Sequence, residues 1–286
     1  MQSNEFDYPE FRQLIAGEGE NEIDAGSGMP NAIDIMPLTN ETTHPTMDMN
    51  ITIYRMRGCA EMEWFHPDEE MAIVLLEGHV WLEWQINNEK FSYAPNNGYA
   101  CRDSCIDDPG YCLHVPRGTK VRTYPMHCEA EILVQTTKND REFEPQFYTP
   151  ENTRRDTFGK GQFDGKAERT VSTYFDIHNA PYSNMVCGEI VSPQGGWSSY
   201  PPHEHPHPEV YYYRFGHKNG FGACFIDDQA YKISDRSFAA IEGGKYHPQV
   251  TAPGYAMMYV WMIRHFDGYP WDERNFDPKH QWLLDN

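Results

Sequence analysis

The sequence has few basic residues for its length. Its 286 residues include 23 lysines and arginines against 43 aspartates and glutamates, which gives a formal net charge of -20 at pH 7. Because nucleic-acid binding requires a basic surface, this balance excludes nucleic acid as an expected partner, and it argues against an anionic membrane surface. An anionic small molecule is not excluded, since it needs only a local positive charge or a metal.

Long apolar runs are also missing. No stretch approaches the roughly 20 apolar residues that a bilayer-spanning helix needs. The first residues lack the basic and apolar regions of a signal peptide. We therefore expect a cytoplasmic protein that has no membrane partner.

The cysteines show no paired spacing. There are seven of them, and no C-x-x-C pair occurs among them. Neither a disulfide framework nor a zinc ribbon is therefore indicated, and reduced thiols suit a cytoplasmic protein.

Sustained helical periodicity is weak, whereas short runs of β-branched and aromatic residues alternate with turn residues. Aromatic residues make up 14% of the chain, and it contains 21 prolines and 22 glycines. This pattern is typical of an all-β sandwich or barrel. The clearest predicted strands are residues 49–56, 71–76, 79–84, 111–115, 120–124, 131–135, 171–177, 185–191, 210–215, 222–226, 237–241 and 255–263.

The chain divides into two similar halves. Residues from about 138 to 169 are rich in charged residues, proline and glycine, and we interpret them as an inter-domain connection. On each side, a long apolar strand ends in glycine and is followed by a P-x-G or G-G turn and another strand. This plan predicts an N-terminal barrel with an N-terminal extension in residues 1–150, and a second barrel in residues 151–286.

Residues 202–209 carry the clearest chemical signal. They read H-x-H-x-x-x-E and supply His203, His205 and Glu209, and a later G-x-x-H adds His247. If this segment is a strand, the first three side chains point to one face. Two imidazoles and a carboxylate suit a divalent metal such as zinc, manganese, iron or nickel. The set resembles the metal signature of a cupin barrel.

Other polar residues are not expected to bind metal. Glu204 alternates to the opposite face, and His207 is interpreted as part of a solvated loop. In the first half His66 stands alone, and Lys120 and Val121 occupy the place where a further ligand would be needed. The N-terminal barrel is therefore predicted to be degenerate and metal-free.

Specific segments resemble the 5-deoxy-glucuronate isomerases of inositol catabolism, and more distantly the 5-keto-4-deoxyuronate isomerase of pectin breakdown. The resemblance spans most of residues 50–286, and its most specific part reads G-W-S-S-Y-P-P-H-x-H. The matching segments are residues 115–119, 196–205, 209–215, 220–222, 246–248, 252–255 and 277–283.

The resemblance implies a bicupin that converts 5-deoxy-glucuronate to 5-dehydro-2-deoxy-gluconate. It also implies one zinc-like divalent metal in the C-terminal barrel, held by His203, His205, Glu209 and His247, and a homo-oligomer. The sequence departs from the family at residues 206–208, a shorter loop at the barrel mouth than family members carry. That difference bears on the exact substrate more than on the fold or the metal.

Three residues near the ligands are candidates for catalysis. Strand parity places Tyr211 and Tyr213 on the same face as Glu209, where they could relay protons or bind substrate hydroxyls. The alternative for each tyrosine is packing in the barrel core with a satisfied hydroxyl. Lys245, which lies two residues before His247, is the predicted partner of a substrate carboxylate.

Other cations and other functions stay open. Arg264 is an alternative carboxylate partner, while Arg214 is out of phase with Glu209 and is expected at a surface or an interface. A non-haem iron dioxygenase can use the same ligands, because metal choice depends on residues around the ligands. An isomerase of a different uronate is a further alternative. A sugar-binding module without catalysis is disfavoured by the presence of all four ligands.

Overall fold

The protein is built almost entirely from β-strands. The computed structural model describes residues 12–14, 32–86 and 96–285, and the prediction of an all-β fold is confirmed. Within these residues the helical segments are short 3₁₀ helices at Pro45–Met47, Gln162–Gly165 and Gln281–Asp285. None of the described helices is long and apolar enough to cross a membrane.

The strands of the first half form one sheet. They are β1 (Arg12–Leu14), β2 (Ala32–Thr39), β3 (Asn50–Arg57), β4 (Met62–Phe65), β5 (Glu69–Ile86), β6 (Asn96–Arg102), β7 (Cys112–Val115), β8 (Thr119–Lys138) and β9 (Gln146–Tyr148). Their order is β1-β2-β3-β8-β5-β7-β9, and β4 pairs with β8 and β6 with β5. The two long strands β5 and β8 pair along most of their length and form the spine of this half.

The strands of the second half form three sheets. They are β10 (Arg154–Phe158), β11 (Arg169–Phe175), β12 (Met185–Ser192), β13 (Trp197–Ser198), β14 (His203–Glu204), β15 (Glu209–Phe215), β16 (Phe221–Ile226), β17 (Gln229–Ser234), β18 (Phe238–Ile241), β19 (Gln249–Thr251), β20 (Met257–Arg264) and β21 (Asn275–Phe276). The sheet orders are β10-β11-β12-β20-β15-β18, β13-β19-β16-β17 and β14-β21. Among the strands that the structure describes, every pairing stays on one side of residue 150; the domain boundary there, like the tandem barrels, stays a prediction.

Strand β15 separates two hydrophobic cores. Val210 and Tyr212 pack in a cluster that also contains Leu133 of the first half. Tyr211 and Tyr213 belong to a different cluster, built from the second half alone. Because side chains alternate along a strand, one face of β15 binds the two halves together and the other faces the interior of the second half.

Buried ion pairs also join the halves. Arg102 on β6 lies 2.6 Å from Glu189 on β12, and both side chains are almost fully buried. Arg214 on β15 lies 2.7 Å from Glu131 on β8 and is likewise buried. Arg214 is therefore at an interface, the one between the two halves.

Residues 138–169, which we interpret as an inter-domain connection, contain two strands that were not predicted. Strands β9 and β10 lie within that segment, and β10 pairs along its length with β11. Every residue of β10 is exposed. A strand of this kind lacks the apolar alternation by which strands are recognised in a sequence.

Candidate metal centre

Three of the predicted ligands meet inside the second half. The possible ligand atoms of His205, Glu209 and His247 all lie within 4.8 Å of one another, and all three residues are buried. One carboxylate oxygen of Glu209 lies 3.1 Å from Nε2 of His205 and 3.2 Å from Nε2 of His247. This is a compact group of two imidazoles and one carboxylate.

The histidines and Glu209 reach this group by a different route from the one predicted. Strand β14 ends at Glu204 and β15 starts at Glu209, so residues 205–208 form a turn and not a continuous strand. Residues that precede proline favour extended backbone, and Pro206 and Pro208 keep this turn short and stiff. The parity argument was therefore wrong for residues 205–208, although the side chains still converge.

A glycine pair brings the His247 loop against the His205 turn. A Cβ atom on Gly243 would lie 1.8 Å from the carbonyl oxygen of Pro206, so only glycine allows this close approach. The N–H of Gly244, a residue with a φ of 78°, donates to the carbonyl of His205 at 2.7 Å. The two loops that carry ligands are thus held together by their backbones.

Each imidazole is oriented by its other nitrogen. The Nδ1 atom lies 3.1 Å from the carbonyl of Pro201 in His203, 3.0 Å from that of His207 in His205, and 2.7 Å from that of Lys245 in His247. A carbonyl oxygen can only accept, so each Nδ1 carries the proton. The lone pair is then on Nε2, which is the arrangement that metal-binding histidines commonly show.

The electrostatics of the group call for a cation. Burial, with the charges of other histidines, lowers the pKa of His203 and His247 from the ordinary value, so both rings are neutral near pH 7. The Nε2 lone pair of His247 therefore faces a carboxylate oxygen of Glu209, 3.2 Å away, that can only accept. Nε2 of His247 is buried without a hydrogen-bond partner. Such a set of acceptors fits a divalent metal.

The fourth predicted ligand lies beside this group and not within it. His203, on β14, pairs across from Phe276 on β21 and is only 7% exposed. Its ring centroid is 5.1 Å from that of His247, with the rings nearly perpendicular. The structure thus brings His205, Glu209 and His247 together and leaves His203 adjacent, on the side of an open pocket.

The pocket in front of the group has a volume of about 110 Å³. The polar residues that line it are Arg154, Asp156, Arg169, Thr173, Ser199, His203, His205, Glu209, Tyr211 and Arg274. Phe158, Val171, Ile190, Trp261 and Trp271 form its apolar walls. The lining joins possible metal ligands, cations and aromatic rings, a combination that suits a small polar anion.

The two candidate tyrosines have different surroundings. Tyr211 lines the pocket, and its hydroxyl lies 3.1 Å from Oγ of Ser199. Burial, and then the charge of Glu209, raises the pKa of Tyr211 well above its ordinary value, so its hydroxyl stays protonated. Tyr213 is fully buried and donates to the side-chain oxygen of Gln249 at 2.7 Å. Tyr213 thus packs in the core with a satisfied hydroxyl, which was the alternative to a catalytic role.

The predicted carboxylate partner points elsewhere. Nζ of Lys245 lies 2.9 Å from Asp227, and the side chain is 39% exposed. Only the main-chain carbonyl of Lys245 reaches the site, where it accepts from His247. Arg264 is also outside the pocket, with Nε 3.1 Å from a carboxylate oxygen of Asp48.

His207 is buried next to the ligand group. The prediction of a solvated loop residue is wrong, because His207 is 3% exposed and its Nε2 lies 2.7 Å from the carbonyl of Tyr269. Its own carbonyl orients His205. The pocket arginines were missed as well: Arg169 falls at the end of the segment interpreted as an inter-domain connection, where no pattern singles it out.

The matching family model and the curated relatives agree with one another. A family model described as KduI/IolB family matches residues 31–283. The 5-deoxy-glucuronate isomerase of Geobacillus thermodenitrificans is 24% identical over 234 residues, which cover 77% of this chain and 80% of that protein. The Bacillus subtilis protein of the same name is 27% identical over 141 residues, or 44% of this chain and 50% of its own length.

Solved structures agree on the fold. An IolB-like protein from Salmonella typhimurium superposes with a TM-score of 0.75 at 17% identity, covering 86% of this chain and 94% of its own. Oxalate decarboxylase of Lactobacillus farciminis, in a formate complex, gives a TM-score of 0.62 at 10% identity, with 96% and 94% covered. At these identities the likeness shows the cupin-like fold alone.

Proposed function

The chain belongs to the KduI/IolB family, and on that premise we propose a metal-dependent isomerase that interconverts the aldose and ketose forms of a sugar acid. The predicted enzyme class is confirmed by the curated relatives, which are named as isomerases. We propose 5-deoxy-glucuronate as the substrate and 5-dehydro-2-deoxy-gluconate as the product. The observation that carries the proposal is the convergence of the Nε2 atoms of His205 and His247 on one carboxylate oxygen of Glu209.

The proposed metal ligands are His205, Glu209 and His247, with His203 as the fourth. We propose zinc as the metal, with manganese, iron or nickel as alternatives, since histidine and carboxylate ligands suit all of them. A metal bound here supplies a Lewis acid for the substrate carbonyl. The backbone carbonyls that accept from the Nδ1 atoms keep the imidazole rings in the orientation that binding requires.

Tyr211 is the proposed proton donor to a substrate oxygen. Tyr211 lines the pocket, and its hydroxyl is protonated at neutral pH because burial raises its pKa. A protonated phenol can donate a hydrogen bond to an oxygen that gains negative charge as the neighbouring carbon loses its proton. Trp261 and Trp271 line the same pocket and limit the access of water.

Product analysis with oxygen monitoring tests the proposal. Metal-replete protein is incubated with 5-deoxy-glucuronate in an oxygen-electrode cell, which measures oxygen uptake. The products are then identified by NMR. We expect a new keto acid with no oxygen uptake. Oxygen uptake coupled to product formation would favour the dioxygenase alternative, and no product from a panel of uronates and deoxyuronates would contradict the isomerase.

A further inference from the structure

Two arginines line the pocket without a carboxylate partner. Within the described residues, neither Arg169 nor Arg274 has a carboxylate oxygen within 4.0 Å of its guanidinium nitrogens. Arg169 is only 8% exposed, and its two terminal nitrogens donate to the carbonyls of Ala167 at 2.8 Å and Tyr200 at 3.1 Å. These two bonds aim the guanidinium but leave its charge unneutralised. Acidic residues outnumber basic ones almost two to one in this chain. Two arginines without a carboxylate partner in one pocket are therefore unexpected, and they indicate a site for an anionic ligand.

The third arginine of the pocket is different. Arg154 has its Nη2 atom 2.6 Å from Asp176, and its Nε atom 3.7 Å from Asp156. Its positive charge is thus matched within the protein. An incoming anion would meet Arg169 and Arg274 as the cations whose charge is not already balanced.

Both arginines flank the segment that carries His203. Arg169 binds the carbonyl of Tyr200, and Arg274 directly precedes Asn275, which pairs with Glu204 on β14. Burial is the largest cause that lowers the pKa of Arg169, and the positive charge of Arg274, which lines the same pocket, lowers it further. The two guanidiniums therefore repel one another across one small pocket.

A bound anion relieves that repulsion. Like charges held close in a partly buried site cost free energy, and an opposite charge between them reverses the sign of the interaction. Guanidinium groups bind carboxylates through pairs of parallel N–H···O bonds, which fix orientation as well as charge. The arginines lie in the pocket that fronts the candidate metal ligands, so one small molecule can contact both.

We propose that Arg169 and Arg274 bind the carboxylate of the substrate, while its carbonyl end faces His205, Glu209 and His247. This inference rests on the proposed function and extends it, because it names the residues that recognise the acid group of the substrate. Arg169 is the fixed member, held by two backbone carbonyls. Arg274 is exposed and closes on the carboxylate from the solvent side. Lys245, which the sequence suggested for this role, is engaged with Asp227.

Binding and kinetics together test the inference. Calorimetry measures D-glucuronate and its uncharged amide, D-glucuronamide, on metal-replete wild type, Arg169→Gln and Arg274→Gln. We expect each variant to weaken glucuronate binding by about 10- to 100-fold, the usual range for a hydrogen bond to a charged group, and to change glucuronamide binding far less. Arg117→Gln, which removes a partly exposed arginine of the first half, serves as the matched control.

Arg274→Gln is the variant least expected to disturb folding, because the Arg274 side chain is exposed and its replacement leaves no cavity in the core. Glucuronate binding that is unchanged in both variants, or weakened only in Lys245→Met, would overturn the inference, as would a wild type that does not bind glucuronate.

The kinetic arm separates the two proposals. If 5-deoxy-glucuronate and its amide are converted with equal kcat/KM, the proposed carboxylate site is contradicted, but the proposed isomerase function is not. If neither is converted, the proposed function fails, and glucuronate binding still decides the role of the arginines.

Discussion

His205 donates its ring Nδ1–H to the main-chain carbonyl of His207, 3.0 Å away. The His207 ring is in turn fixed by its contact with the carbonyl of Tyr269 at 2.7 Å. The ring of His207 also packs against Phe266, with centroids 4.6 Å apart. A proposed ligand is thus oriented by a buried neighbour that does not itself reach the ligand group.

Replacing His207 should therefore weaken metal binding. In His207→Ala the bond to Tyr269 is lost and the 205–208 turn is free to move, so we expect metal affinity to fall by at least about tenfold, as for other residues that orient metal ligands. Competition with a chelator measures the affinity. His280→Ala, which removes an exposed histidine, is the control, and equal affinity in the two variants would contradict this role.

The two tyrosines should separate catalysis from stability. Tyr211→Phe removes the proposed proton donor, and we expect kcat to fall by about 10²- to 10⁴-fold, the usual range for acid–base catalysis, with unchanged metal content. Tyr213→Phe removes the bond to Gln249, and we expect it to cost about 1 kcal/mol of unfolding free energy with kcat nearly unchanged. Steady-state kinetics and urea unfolding of both variants check these expectations. A large fall in kcat for Tyr213→Phe, with kcat retained in Tyr211→Phe, would assign the proton donor to Tyr213.

Stability should fall in mild acid because of His265. Burial, and then the charge of His207, lowers the pKa of His265 to about 4 in the folded protein. The unfolded chain binds this proton near its ordinary pKa of about 6.5. Between those values the unfolded state holds more protons, so the unfolding free energy decreases as pH falls, by up to about 1.4 kcal/mol per pH unit.

The variant His265→Gln isolates that contribution. The glutamine side-chain oxygen can still accept a hydrogen bond from the main-chain N–H of Trp271, as Nδ1 of His265 does at 2.9 Å. Urea unfolding of the metal-free proteins at pH 7 and pH 5 should show a smaller loss for the variant than for wild type. Equal losses would mean that His265 does not contribute to the pH dependence.

The buried pair between Arg102 and Glu189 should make a large contribution to stability. Arg102→Met leaves the Glu189 carboxylate buried without its partner, and we expect a loss of about 3 kcal/mol or more. Arg117→Met breaks an exposed pair with Glu142, and we expect it to cost less than about 1 kcal/mol. Urea unfolding compares the two, and equal effects would contradict the importance of burial.

The fold class was predictable because short apolar runs between turn residues mark the buried strands. Residues 71–76 and 257–263 are apolar throughout, as strands packed on both faces must be, and both lie in the centre of their sheets. Strand β10 was missed because all its residues are exposed, so its sequence shows no core-facing pattern. Its position at a sheet edge follows from pairing with β11, which composition does not reveal.

The site was predictable only in its ligands. His205, Glu209 and His247 are chemically unusual at their spacing, and they do converge. The pocket arginines carry no such mark, because Arg169 on β11 and Arg274 before β21 are far apart in the sequence and line one pocket only in the folded chain. Lys245 was chosen from assumed strand parity, but His247 lies in a loop outside the strands, where alternation does not apply.

We predict above all that isomerisation depends on a metal held by His203, His205, Glu209 and His247. The most direct test measures metal content and ketose formation from 5-deoxy-glucuronate in the same samples: wild type as purified, stripped by chelator, and reloaded with zinc, alongside His247→Ala. We predict about one metal per chain with activity, loss of both on stripping, recovery on reloading, and neither in folded His247→Ala. Full activity in the stripped protein, or full metal content in His247→Ala, would contradict the account.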